Sequence, residues 1–150
     1  VYLTRGNHDS LVDRKGKTSG LPERAFRNFR DIWGLPSTWK DGFEFEFNGV
    51  RYLHGTKLSG KLAHLMCAYD NRQSCVIGHL HSCAGIEWIA NSKDCIFGMT
   101  VGCGMDRKAY AFDYGTDFRR KPIISCGVVL EAGKYPLVVP MQLGKRVKLI

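Results

Sequence analysis

The 150-residue sequence predicts one sheet-centred domain of mixed class, α/β or α+β. Three observations point there. Strand-like alternation and helix-like spacing succeed one another as strand, helix, hairpin, helix, strand and several further strands. Gly-bearing turns punctuate those changes of period. Polar, metal-capable residues fall directly after predicted strands, where such domains place their functional loops.

The elements follow in order. VYLT (1–4) is a short β-branched and apolar run that stops at an Arg-Gly-Asn loop. DSLVDRKGKTSG (9–20) is polar and Gly-punctuated, which predicts a loop. LPERAFRNFRDIWG (21–34) has Pro22 near its start, Phe26, Phe29, Ile32 and Trp33 at helical spacing, and Gly34 as a stop. FEFEFNGVRYLHG (43–55) alternates apolar and acidic residues and turns at Asn48-Gly49, a hairpin whose second strand ends at His54. LSGKLAHLMCAYD (58–70) places Leu58, Leu62, Leu65, Met66 and Tyr69 on one helical face. Cys75 to Ile77 form a short buried strand running into a Gly turn. AGIEWIA and CIFGMTVGC read as further strands, and ISCGVVLEAGKYPLVVPMQL as a closing hairpin turning near Gly133.

Composition narrows the class. Hydrophobic residues at 44% and charged residues at 24% suit a soluble globular chain. No apolar run approaches the ~20 residues of a membrane span, and no basic segment precedes a hydrophobic one as in a signal peptide. We therefore expect no membrane partner and a cytoplasmic setting. The chain opens on Val1 and enters a strand at once, so an original N-terminus, with any targeting signal, is expected to be absent. The six cysteines include no C-x-x-C pair, which argues against a zinc ribbon or thioredoxin-like site, and they are expected to be reduced. The formal net charge is +8, with basic clusters at Arg14, Lys15 and Lys17; Arg24, Arg27 and Arg30; Arg119, Arg120 and Lys121; and Lys145, Arg146 and Lys148. That charge suits phosphate or nucleic-acid partners, and a solvated basic face accounts for it equally well.

Three Gly-flanked stretches hold the candidate chemistry. In GNHD, Gly6 allows a tight turn, the Asn7 side chain offers a neutral oxygen ligand, and His8 is a metal ligand or proton donor that Asp9 could orient. Asn, Asp and Gly also crowd into ordinary turns. In GHLH, His79 and His81 point to one side if the backbone stays extended, a credible half of a metal site. In YLHG, His54 ends a strand just before Gly55. Four His and one Asn at three strand ends are less readily chance than any one alone. His64 lies off the apolar stripe of its helix and reads as solvent-facing.

The ordered set GNHD, LHG and GHLH, spanning residues 6 to 81, resembles the C-terminal motif series of the calcineurin-like metallophosphoesterases. The full family pattern is D-x-H, G-D-x-x-D, G-N-H-D/E, a single His, then G-H-x-H. VGCGMDRKAYAFDYG (101–115) also resembles a segment common in phage-type and bacterial members. The resemblance implies an α/β fold: the C-terminal half of the metallophosphoesterase α/β/β/α sandwich, with N-terminal strands and helices missing. Residues 1–150 would be a partial domain truncated at its N-terminus, with an unpaired sheet edge and exposed apolar surface.

Residue by residue, the resemblance implies that Asn7, His54 and His79 ligate the second of two divalent metals and that His81 ligates the first. His8 would be the non-ligand histidine that contacts the phosphate and protonates the leaving group, supported by Asp9. Arg5 is a candidate for facing the phosphate. Mixed N and O ligands suit Mn, Fe, Zn or Co. The expected reaction is hydrolysis of a phosphomonoester or phosphodiester by metal-activated water. Its substrate would be a nucleotide, a nucleic acid or a phosphoprotein. The sequence contains neither D-x-H nor G-D-x-x-D, so the first metal keeps only His81 and the bridging Asp has no counterpart. The alternatives are a catalytically incomplete fragment that binds phosphate or nucleic acid without turnover, and a structural or adaptor member binding a protein partner.

Overall fold

The computed structural model describes residues 1–105 and 119–141. Nine strands and three α-helices are described: β1 (Tyr2–Thr4), α1 (Leu11–Thr18), α2 (Phe29–Trp33), β2 (Lys40–Gly42), β3 (Glu44–Phe47), β4 (Val50–Leu53), α3 (Ala63–Asn71), β5 (Ser74–Ile77), β6 (Ala84–Ala90), β7 (Cys95–Val101), β8 (Ser125–Leu130) and β9 (Tyr135–Pro140). The class is mixed α/β, with a five-stranded sheet in the order β3-β4-β5-β7-β6. β4, β5 and β7 are mutually parallel, and the edges β3 and β6 pair antiparallel to them.

The central strand β5 is buried along its whole length, as a continuous apolar run between two covered faces should be. On one face, Cys75, Ile77 and Ile96 pack with Ala63, Cys67 and Ala68 of α3. On the other, Val50, Val76, Phe97 and Met99 pack with Val129 and Val138 of the β8–β9 hairpin. The layers are thus helix, sheet, sheet. Register places Cys126 opposite Val139, Val128 opposite Leu137 and Leu130 opposite Tyr135, so these side chains share the outer face of that hairpin. Of these, Val128, Leu130, Tyr135, Leu137 and Val139 are exposed.

The β3–β4 hairpin turns at Asn48 (φ 52°) and Gly49 (φ 72°), the paired left-handed geometry that Asn-Gly favours. α2 ends where expected, on a left-handed Gly34. Three expectations are corrected. Residues 11–18 form a helix and not a loop. Gly16 there is a packing position: a Cβ on it would stand 2.2 Å from the Phe26 ring. The helix expected over 21–34 is a 3₁₀ turn at Glu23–Ala25 followed by the short α2. α3 buries Ala63, His64, Cys67 and Ala68, while Leu62, Met66 and Tyr69 are exposed. Small residues win because the helix lies close on the sheet: a Cβ on Gly98 of β7 would meet the His64 carbonyl oxygen at 2.1 Å.

His64 is therefore corrected as well. It is 4% exposed, and its Nδ1 has no hydrogen-bond partner. Burial lowers its pKa, partly offset by the Glu87 carboxylate.

β1 lies outside the five-stranded sheet. It pairs in parallel with β2, Tyr2 to Lys40 through Thr4 to Gly42. Tyr2 packs edge-on against Phe45 and Phe47, which docks this two-stranded ribbon beside β3. All six cysteines are free thiols. No described helix is long and apolar enough to cross a membrane. The expected segment 101–115 is described only to residue 105, and the cluster at Lys145, Arg146 and Lys148 lies outside the described residues.

Candidate functional site

Parallel pairing assembles the first part of the site. Leu53 of β4 stands beside Ile77 of β5, so the next residues, His54 and Gly78, leave the sheet side by side. The Gly78 amide donates to the His54 carbonyl at 3.3 Å. Gly55 (φ 87°) lies against Ile77 and the Cβ of His79, a space another side chain would fill. The two imidazoles meet edge to face, with ring centroids 5.1 Å apart and His79 Nδ1 3.2 Å from His54 Nε2.

The GNHD loop supplies the third member from the end of β1. Asn7 Oδ1 lies 2.9 Å from the same His54 Nε2. The loop is fixed from within: Asp9 Oδ2 accepts the Gly6 amide at 2.7 Å, and Ser10 Oγ donates to the Gly6 carbonyl at 2.7 Å. Gly6 is the residue that lets the loop approach, since a Cβ on it would lie 2.8–3.0 Å from the His54 ring atoms.

Two polar atoms thus address one nitrogen. A single proton on His54 Nε2 serves either Asn7 Oδ1 or His79 Nδ1 well, not both. A divalent ion would satisfy all three lone pairs. Donors held about 2.0–2.2 Å from one ion, at right or tetrahedral angles, stand about 2.9–3.5 Å apart. The 2.9 and 3.2 Å separations fall in that range, so this donor set fits a metal ion in spacing and chemistry. Among the described residues no three His, Cys, Asp or Glu side chains form a metal-holding group; the trio is two imidazoles and an amide.

Burial and then the neighbouring His79 hold the His54 pKa below its ordinary value, with Asp9 opposing. Burial and His8 lower that of His79. Burial, His79 and His8 lower that of His81. All three shifts favour the neutral imidazole, the form that ligates. His81 is half-buried, and its carbonyl accepts the Ile123 amide at 2.8 Å. His8 is exposed on the GNHD loop, and its carbonyl accepts the Leu11 amide at 3.1 Å.

Arg5 is engaged. Its Nε donates to Asp41 Oδ2 at 2.8 Å, its Nη2 donates to the same oxygen, and the guanidinium stacks 4.5 Å from the Phe29 ring centre. Arg30 Nη1 donates to Asp41 Oδ1 at 2.6 Å. The Arg5 hydrogen bond, outweighing burial and aided by Arg30, holds the Asp41 carboxyl below its ordinary pKa. Sequence reasoning grouped Arg30 with Arg24 and Arg27 but passed over Asp41, which sits in a three-residue strand too short to show a pattern.

Comparison with protein families, with curated proteins and with solved structures finds no match to this chain.

Proposed function

We propose that this chain is a metal-dependent phosphoesterase, hydrolysing a phosphomonoester or phosphodiester bond of a nucleotide, nucleic acid or phosphoprotein with a metal-activated water. The observation that supports this reading is the convergence of Asn7, His54 and His79 from three separate segments onto one point. These are the three positions the family resemblance implies for one metal. Asn7, His54 and His79 would hold that ion, and His81 would serve a second. Mn, Fe, Zn or Co fits the donors. Bound, such ions would supply Lewis acidity at the phosphoryl oxygens and lower the pKa of water. The chain's own part is to keep these imidazoles neutral by burial and to fix Asn7 through the Asp9 and Ser10 contacts. His8, exposed on the same loop, would hold the proton that passes to the leaving oxygen. We place the protein in the cytoplasm on the same reading.

One observation favours a second reading, phosphate or nucleic-acid binding without turnover: the 150 residues contain neither D-x-H nor G-D-x-x-D, the bridging carboxylate included. Titration with Mn²⁺ and Zn²⁺, paired with an aryl-phosphate assay, separates the two. Metal-dependent turnover supports the enzyme. Stoichiometric binding with no turnover under any divalent ion leaves the second reading, and absence of binding removes the metal site.

A further inference from the structure

Beside the GNHD loop the surface holds two adjoining clefts that share Arg5, Arg27, Asn28 and Phe29 as walls. The larger encloses ≈ 880 Å³ and adds Arg30. The smaller encloses ≈ 260 Å³ and adds Lys17 together with Asp13. Three guanidiniums therefore face or flank the larger space, against Asp31 on its wall and Asp41 behind it. Asp41, its side chain 5% exposed, answers two of the three arginines with a single charge. Arg27 is exposed, and no hydrogen bond, ion pair or ring contact engages its guanidinium among the described residues.

The other two arginines are held in place. Arg5 is locked by Asp41 on one edge and by Phe29 across its plane, with Nη1 left over. Arg30 is tied to the Trp39 carbonyl at 3.0 Å and the Pro36 carbonyl at 2.9 Å, as well as to Asp41. Fixed guanidiniums lose little freedom when they bind, and their planar forks match phosphate oxygens. One exposed, unengaged arginine stands beside two anchored ones, an arrangement that can hold an anion from more than one side.

We propose that this arginine cleft is an anion-binding site for a phosphate group, distinct from the histidine cluster. Arg5 is two residues before Asn7, whose amide oxygen meets His54, so the backbone at the cleft wall lies within about 7 Å of the backbone at Asn7. That is close to the spacing of successive phosphates along a nucleic-acid strand. The substrate class is then one with a second phosphate beside the one at the histidines. This last step rests on the phosphoesterase reading; the anion site does not.

The test is direct binding of pyrophosphate, with orthophosphate alongside, in a chelator that keeps metal away from the histidines. Arg27→Gln is compared with Arg24→Gln, which makes the same charge change at an exposed arginine outside both clefts. Thermal melting checks that both variants fold. Pyrophosphate should bind the native chain, weaken about 10-fold in Arg27→Gln and change less than about 2-fold in Arg24→Gln. Equal weakening in both variants, no weakening in Arg27→Gln, or no binding to the native chain at millimolar pyrophosphate overturns the site. Orthophosphate binding as tightly as pyrophosphate makes the cleft a free-phosphate site and removes the second-phosphate substrate class. Loss of metal binding at the histidines leaves every one of these outcomes readable.

Discussion

Gly6→Ala perturbs the histidine cluster without removing a donor. The new Cβ would stand 2.8 Å from His54 Cε1, 2.9 Å from Nδ1 and 3.0 Å from Nε2. Carbon contacts are comfortable from about 3.5 Å, so the ring must retreat by about 0.7 Å. A shift of that size carries the 2.9 Å contact to Asn7 Oδ1 to the edge of hydrogen bonding. The lost bond should cost about 0.5–1.5 kcal/mol of folding free energy. Displacing a ligand that otherwise keeps its chemistry should weaken a divalent ion by about 10- to 100-fold, the scale of changes just outside a coordination shell. Urea unfolding in chelator reads the first effect and Zn²⁺ titration the second. Gly85→Ala is the control, because a Cβ there meets nothing within 4 Å. If Gly6→Ala matches the native chain in both measurements, the loop does not press on His54 and the three donors do not act together.

Other perturbations have equally definite outcomes. His54→Ala and His79→Ala should each lower divalent-ion affinity beyond the roughly 100-fold range of outer-shell changes; unchanged metal content in both would sink the ligand assignment. Gly98→Ala should cost about 3 kcal/mol or more in urea unfolding, since its Cβ would meet His64 backbone atoms at 2.1 and 2.4 Å and α3 must lift; a loss under about 1 kcal/mol would contradict the close packing. Asp41→Asn should cost about 1–3 kcal/mol by weakening charged hydrogen bonds to Arg5 and Arg30. The folded Asp41 carboxyl has the lower pKa, so the unfolded chain binds its proton more readily. Its contribution is present above the unfolded value, near 4, and is lost as pH falls through the folded one. Stability of the Asn variant should fall less steeply on acidification below about pH 4; parallel profiles would mean that Asp41 does not sense the ion pairs.

The sequence revealed elements wherever local chemistry decides. Asn48-Gly49 dictates a hairpin turn, and the apolar run ending at Ile77 needs two covered faces. The grouping of Asn7, His54 and His79 was legible because each follows a strand; register sets His54 beside His79, and the loop after β1 brings Asn7 to them. What stayed hidden depends on close approach between distant residues. Gly16 looked like a helix breaker until Phe26 was seen against it. The wide apolar stripe of α3 suggested the wrong face, because Gly98 draws the small face inward and takes His64 with it. Asp41 showed nothing in sequence because its partners lie 36 and 11 positions away.

The β1–β2 ribbon stands apart from the central sheet, and that has a mechanical consequence. Two of the three converging donors hang from the sheet and the third from the ribbon. An ion shared among them would be a clasp between two bodies. At 100 times its dissociation constant such an ion contributes about 2.7 kcal/mol. That energy would oppose the ribbon peeling away, since peeling would carry Asn7 out of reach of His54. Metal supply would then govern how firmly the chain's first strand is buttoned to the rest.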